Sequence, residues 1–278
     1  MKSLVSQNSI PPLHFVEHGE GVPVLALHGW SPDHRLMTGF LEPLFAARPG
    51  WRRIYPDLPG MGRTPATGAV ASSRDILAAV SRFADERIGD RPFLLVGESY
   101  GGYLARALAN VRPDRVRGLA LVCPIGTQVR HAARTLPERS VIAPDPDLMA
   151  GLDEAEAEAF GSLAVVQSPE TLRRFRESIA PGLRVADFPA LERIQRDWEL
   201  DEAPESGAPY AHPAVILTGR QDNATGYADA YALLDHYPRA TFAVLDRAGH
   251  NAQIEQPALV AALLGEWLDR VEESGGLR

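Results

Sequence analysis

Phe93-Leu94-Leu95-Val96-Gly97-Glu98-Ser99-Tyr100-Gly101-Gly102 is the stretch on which the reading of this chain turns. Four apolar residues with the character of a buried strand run directly into Gly-x-Ser-x-Gly, and a helical pattern starts at once behind it. A serine between two glycines at a strand-to-helix junction sits on a turn so sharp that its Oγ projects clear of the backbone. Gly97 and Gly101 lack the side chains that would collide across such a turn. The junction therefore presents Ser99 as a candidate nucleophile.

Working outward, the chain alternates strand and helix signals. Leu13 to His18 and Val22 to Leu27 flank Gly19-Glu20-Gly21 and read as a hairpin. Asp33 is placed to cap a helix reaching about Ala47, and Arg52 to Tyr55 reads as the next strand. A helix from about Ser73 to Arg87 leads into the Ser99 strand. Behind the helix that starts at Gly101, Gly118 to Cys123 forms a further strand stopped by Pro124. After a long interval, Ala214 to Thr218 and Thr241 to Leu245 read as strands. A helix from Pro257 to about Val271 closes the pattern, with Leu259, Leu263, Leu264 and Trp267 as its apolar stripe and Gly275-Gly276 as a frayed tail. This rhythm predicts a mostly parallel sheet with helices on both faces.

The rhythm breaks between about Pro124 and Tyr210, where no strand is expected. Pro144-Asp145-Pro146-Asp147 reads as a loop, and Asp153 to Val166 begins acidic and turns apolar. Ser168-Pro169-Glu170 has the form of a helix start, with the serine as N-cap, and Pro189 to Leu200 reads as another helix. The expectation is a helical cap over 125–209, inserted into a core made of 1–124 and 210–278. Phe160, Phe175, Phe188 and Trp198 give the insert apolar faces, and for each of them packing is the simpler reading than ligand contact.

Composition narrows the function classes. With 45% hydrophobic and 23% charged residues the 278-residue chain is an ordinary globular protein, and its net charge of −8 without any basic run argues against a nucleic-acid partner. Cys123 is the single cysteine, which excludes an internal disulfide and a cysteine-built metal site and suggests a buried core thiol. The polar stretch Met1 to Pro12 lacks the apolar segment of a secretory signal, and no apolar run approaches the roughly 20 residues that cross a bilayer. A cytoplasmic protein acting on a small molecule, without membrane, cofactor or metal, is expected.

Gly97-Glu98-Ser99-Tyr100-Gly101-Gly102, His28-Gly29-Trp30, Asp57-Leu58-Pro59-Gly60-Met61-Gly62, Gly219-Arg220-Gln221-Asp222 and Ala248-Gly249-His250 together resemble the α/β-hydrolase superfamily. The resemblance spans the chain outside the insert. It implies an eight-stranded, mostly parallel sheet with its first strands antiparallel and a helical cap after the sixth. It also implies a triad in the order serine, acid, histidine, met here by Ser99, Asp222 and His250. Asp246, near His250 in sequence, and Glu98, beside the serine, are the competing acids. Asp222 is favoured because it ends a strand at the sheet's carboxyl edge. The oxyanion donors implied by the resemblance are the backbone N–H groups of Tyr100 and Trp30. His28 reads as a structural hydrogen-bonding residue, and Asp57 with Arg63 as stabilisers of their glycine-rich turn. A phosphate loop is excluded by the missing Lys-Ser/Thr pair.

Departures from better-defined relatives narrow the chemistry further. Serine at 99 argues against haloalkane dehalogenases and epoxide hydrolases, which place aspartate there, and Trp30-Ser31-Pro32 stands where proline-specific aminopeptidases carry glycines. Carboxylic ester hydrolysis is the default expectation. Hydrolysis of a carbon–carbon bond in a vinylogous diketone is the enzymatic alternative, and a ligand receptor of the same fold is the non-enzymatic one.

Overall fold

The computed structural model describes residues 10–275; Met1 to Ser9 and Gly276, for which a polar start and a frayed tail were expected, lie outside the described residues. Seven strands are present among them: β1 (Phe15–His18), β2 (Val22–Leu27), β3 (Trp51–Pro56), β4 (Phe93–Glu98), β5 (Val116–Val122), β6 (Ala214–Gly219) and β7 (Ala240–Leu245). They form one sheet in the order β1-β3-β2-β4-β5-β6-β7, parallel throughout except for β1, which runs antiparallel to β3. The expected eight strands are thus seven. The insert accordingly follows the fifth strand rather than the sixth.

The helices in chain order are α1 (His34–Phe45), α2 (Ser73–Ile88), α3 (Ser99–Val111), α4 (Pro146–Ala150), α5 (Glu154–Gly161), α6 (Pro169–Ser178), α7 (Ala180–Leu183), α8 (Phe188–Gln195), α9 (Ala228–Tyr231), α10 (Ala252–Glu255) and α11 (Pro257–Glu273). Side chains of β4 alternate between two cores, as the two-residue repeat of a strand requires. Phe93 and Leu95 join Ile76, Val80, Phe83, Leu104 and Leu108 from α2 and α3. Leu94 and Val96 join Leu36, Met37, Leu264 and Trp267 from α1 and α11. Both faces of the sheet are covered, which explains why its central strands read as continuous apolar runs.

The expected hairpin between the first two strands does not form. β1 pairs instead with β3, Phe15 opposite Pro56 and His18 opposite Arg53. The apolar β2, with Val24 to Leu27 fully buried, takes parallel partners on both sides, β3 and β4, and β1 is displaced to the sheet edge. Gly19 and Gly21, at φ +67° and +113°, provide the turn, and the Val22 N–H reaches the Gly50 carbonyl at 2.9 Å.

Between β5 and β6 the chain carries the helices α4 to α8 and one isolated bridge, Ala143 to Val166. Caps read from the sequence are in place: the Arg35 N–H donates to Asp33 at 3.0 Å and the Thr171 N–H to Ser168 at 3.1 Å. Pro144 to Asp147 is partly helical, because Asp145 caps α4 through the Leu148 N–H at 3.0 Å. Between β6 and β7 the chain forms an α9 turn continued by a 3₁₀ turn over Ala232–Asp235. Phe160 and Phe175 pack at 5.5 Å between ring centres inside the core, whereas Phe188 is exposed. The insert is anchored at its far end by Glu205, whose carboxylate takes the fully buried Arg106 of α3 at 2.6 and 2.8 Å.

Candidate active site

The order of the strands reverses at β2, whose neighbours β3 and β4 lie on opposite sides, and open α/β sheets place their clefts at the carboxyl edge of such a switch. Four loops from that edge converge here. They follow β2 (His28 to Trp30), β4 (Ser99), β6 (Asp222) and β7 (His250).

Ser99 stands at the first residue of α3 with φ +51°, a left-handed conformation that costs free energy outside glycine. The glycines around it are forced by contact. A Cβ on Gly101 would strike the Leu27 and His28 carbonyls, and one on Gly97 would come within 2.7 Å of Gly102 Cα. The Gly29 loop passes so close that a Cβ there would lie 3.1 Å from Ser99 Cβ and collide with the Glu98 carboxylate.

His250 Nε2 lies 2.9 Å from Ser99 Oγ, and its Nδ1 lies 3.0 Å from Asp222 Oδ2. Asp222 is fully buried. Its Oδ1 accepts the Ala224 and Thr225 N–H groups at 2.8 and 3.0 Å, and its Oδ2 accepts the Thr225 hydroxyl at 2.7 Å. Burial alone would raise the Asp222 carboxyl, but the His250 charge and these hydrogen bonds outweigh it and hold it below the ordinary carboxylate range. For His250, burial works against the imidazolium, while the charge and hydrogen bond of Asp222 lift the ring above its ordinary value. The structure thus brings Ser99, His250 and Asp222 together in a chain of hydrogen bonds in which an imidazole can take up a hydroxyl proton.

The competing acids are placed differently. Asp246 is exposed and accepts the Gln221 side-chain amide at 2.9 Å, away from the imidazole. Glu98 is buried with Oε1 3.7 Å from His250 Nε2, on the serine side of the ring, and burial pushes its carboxyl up to about 7. His28 is engaged at both ring nitrogens by backbone, with Nδ1 2.7 Å from the Gly29 carbonyl and Nε2 accepting the Leu58 N–H at 2.9 Å. Asp57 holds its glycine-rich turn through the Arg63 N–H at 2.9 Å and also gathers His14 and His34 at 2.8 and 2.7 Å. Arg63 takes part there through its backbone.

Two groups of three metal-capable side chains occur among the described residues, His14 with His34 and Asp57, and Cys123 with Asp222 and His250. In the first, both oxygens of Asp57 are taken up by hydrogen bonds; the second contains the buried Cys123 thiol, which burial pushes well above its ordinary value. Both arrangements are accounted for by protein hydrogen bonding and packing.

Tyr100 is the second residue of α3, within the first turn, where backbone N–H groups have no acceptor inside the helix. Trp30 follows β2 by three residues. The side chains of these two residues build a wall: the Trp30 and Tyr100 rings meet at 4.9 Å, and Trp198 of the insert stacks on Tyr100 at 4.5 Å and meets Trp30 edge-on at 4.6 Å. They enclose, with Ser99 and His250, a cavity of about 490 Å³. Arg130, His131 and Arg134, from the start of the insert, line it as well. Sequence reasoning passed over these three because they lie in a segment without periodicity or motif.

The model of the alpha/beta hydrolase fold family matches residues 22–257 of this sequence. The chain belongs to that family. An alpha/beta superfamily hydrolase from Oenococcus oeni has a solved structure that superposes with a TM-score of 0.86 at 30% identity, covering 96% of this chain and 97% of that one. The lipase LipV of Mycobacterium tuberculosis is 32% identical over 91% of this chain and 96% of its own length. A 2-hydroxymuconate semialdehyde hydrolase from a Pseudomonas species is 27% identical over 91% and 88%. This alpha/beta hydrolase family member is, on these relatives, a hydrolytic enzyme. No helix among its described residues is long and apolar enough to cross a membrane.

Proposed function

We propose that this alpha/beta hydrolase is a serine hydrolase that cleaves a small-molecule carboxylic ester through an acyl-enzyme intermediate. The observation that carries the reading is the pair of distances at His250, 2.9 Å to Ser99 Oγ and 3.0 Å to Asp222 Oδ2. Ser99 attacks the ester carbonyl as His250 Nε2 takes its proton, and the buried Asp222 fixes the imidazole and stabilises the imidazolium. The Tyr100 and Trp30 N–H groups receive the oxyanion. His250 then protonates the departing alcohol. Water, deprotonated by the same imidazole, releases the acid from Ser99. The segment 125–209 acts as a cap, a role supported by the position of Trp198, Arg130 and Arg134 around the same cavity as Ser99.

A p-nitrophenyl ester series of increasing acyl length, run on wild type and Ser99→Ala, tests this. In the variant kcat is expected to fall roughly 10⁴-fold or more. Equal rates in both proteins would overturn it.

The likeness to the 2-hydroxymuconate semialdehyde hydrolase favours a second reading, carbon–carbon bond hydrolysis in a vinylogous diketone by the same three residues. Relative kcat/KM for such a diketone and for a matched ester separates the two.

A further inference from the structure

Arg134 enters the cavity beside Ser99 and His250, and its charge is handled unlike that of its neighbours. Arg130, on the same rim, is paired with Glu199 at 2.5 Å, and the buried Arg106 is paired with Glu205. Arg134 makes no ion pair among the described residues. Its guanidinium is held by backbone carbonyls alone: Nε donates to Gln128 at 3.3 Å, Nη1 to Ala224 at 2.8 Å and Nη2 to Val129 at 2.6 Å. The two carboxylates whose fields reach it are both otherwise engaged, Asp222 by His250 and Asp229 by the Thr135 N–H at 2.8 Å.

A guanidinium has five N–H donors, so three such bonds leave one N–H on each Nη for an incoming anion. The carbonyls fix the plane of the group in advance, which lowers the entropy lost when an anion docks. Partial burial makes a cation without a counter-charge costly, and an incoming carboxylate removes that cost. Trp30, Tyr100 and Trp198 line the same cavity with aromatic rings, and Trp198 Nε1 shares the Val129 carbonyl with Arg134 Nη2, at 3.3 and 2.6 Å. The cavity beside the nucleophile therefore joins aromatic rings to a preset cation.

We propose that Arg134 selects substrates carrying a free carboxylate in addition to the bond that is hydrolysed. The inference rests on Ser99 being the nucleophile and deepens that reading by naming the class of substrate. The carboxylate can reside on the acyl chain, as in the half-ester of a short dicarboxylic acid, or on the leaving group.

The test compares anionic esters with neutral ones of the same backbone, in wild type, Arg134→Gln and Arg134→Lys. p-Nitrophenyl hydrogen glutarate against p-nitrophenyl pentanoate places the charge on the acyl side, and 4-butyryloxybenzoate against phenyl butyrate places it on the leaving group. One of the two anionic esters is expected to exceed its neutral partner in kcat/KM by about 10- to 100-fold, the range of a charge-assisted hydrogen bond. Arg134→Gln should bring that ratio to near one, and Arg134→Lys should restore part of it. Ratios near one in wild type for both pairs, or a ratio retained in Arg134→Gln, overturn the proposal. Should Arg134→Gln not fold, wild type alone decides. Free glutarate should inhibit pentanoate ester hydrolysis at least tenfold more strongly than uncharged glutaramide, and equal inhibition counts against the proposal. Failure of the underlying reading looks different, since Ser99→Ala would then leave the hydrolysis of every ester unchanged.

Discussion

The Glu255 carboxylate accepts the Gly249 N–H at 2.6 Å, one residue before His250, and with its other oxygen accepts the Val165 and Val166 N–H groups at 2.6 and 3.0 Å. One buried side chain thus ties the imidazole's loop to the inserted segment. Removing it leaves two buried N–H groups and a part-buried one without their acceptor, each buried group at about 1–3 kcal/mol. Glu255→Ala is therefore expected to lose roughly 3 kcal/mol or more in denaturant unfolding and to lower kcat as His250 loses its fixed position. Stability and kcat both equal to wild type would contradict this role.

Glu98 gives a pH signature. Burial raises its carboxyl from 4.5 to about 7, so the stability it contributes is fully present below about pH 4.5 and is lost as pH rises through about 7. Wild type should lose melting temperature relative to Glu98→Gln across that interval. The same carboxylate, 3.7 Å from His250 Nε2, favours the imidazolium. In Glu98→Gln the acid limb of the kcat/KM profile should move to lower pH, because the base is then neutral at lower pH. A limb that stays in place or moves upward would contradict it.

Trp198 is the insert's contact with Tyr100, the residue following Ser99. Its ring stacks on Tyr100 and meets Trp30, and such aromatic pairs are worth about 0.5–1.5 kcal/mol each beyond their buried area. Trp198→Ala is expected to reduce kcat/KM for esters with apolar acyl chains by roughly tenfold, mainly through KM. Steady-state kinetics along an acyl series checks this, and an unchanged KM for the apolar members would speak against the wall.

Much of this architecture was legible because parallel sheets leave strong local marks. The four apolar residues before Gly97 needed burial on both faces, and the glycines around Ser99 are demanded by contacts that no side chain could survive. Asp222 after β6 and Asp246 after β7 both stand at the sheet's carboxyl edge, so strand-end position alone does not separate them, and it is the bond of Asp222 to His250 Nδ1, against that of Asp246 to Gln221, that does. The partner of β1 was not legible: Gly19 to Gly21 has the chemistry of a hairpin turn, and only the demand of β2 for parallel neighbours on both sides overrides it. Arg134 and Glu255 were hidden for another reason. Each acts through backbone carbonyls or N–H groups distant in the chain, and backbone partners write nothing into side-chain pattern. Phe188 was expected to be apolar glue by its residue type and is exposed.

Ester hydrolysis by this protein requires Ser99 to be a nucleophile activated by His250. Intact-mass and peptide-mass measurement after exposure to diethyl p-nitrophenyl phosphate tests it, because a phosphoryl electrophile is trapped covalently by an activated serine. One diethylphosphoryl adduct per chain, on Ser99, with loss of esterase activity in step with labelling and no adduct in Ser99→Ala, is the predicted result. No adduct on wild type, or an adduct on another residue that persists in Ser99→Ala, would contradict it.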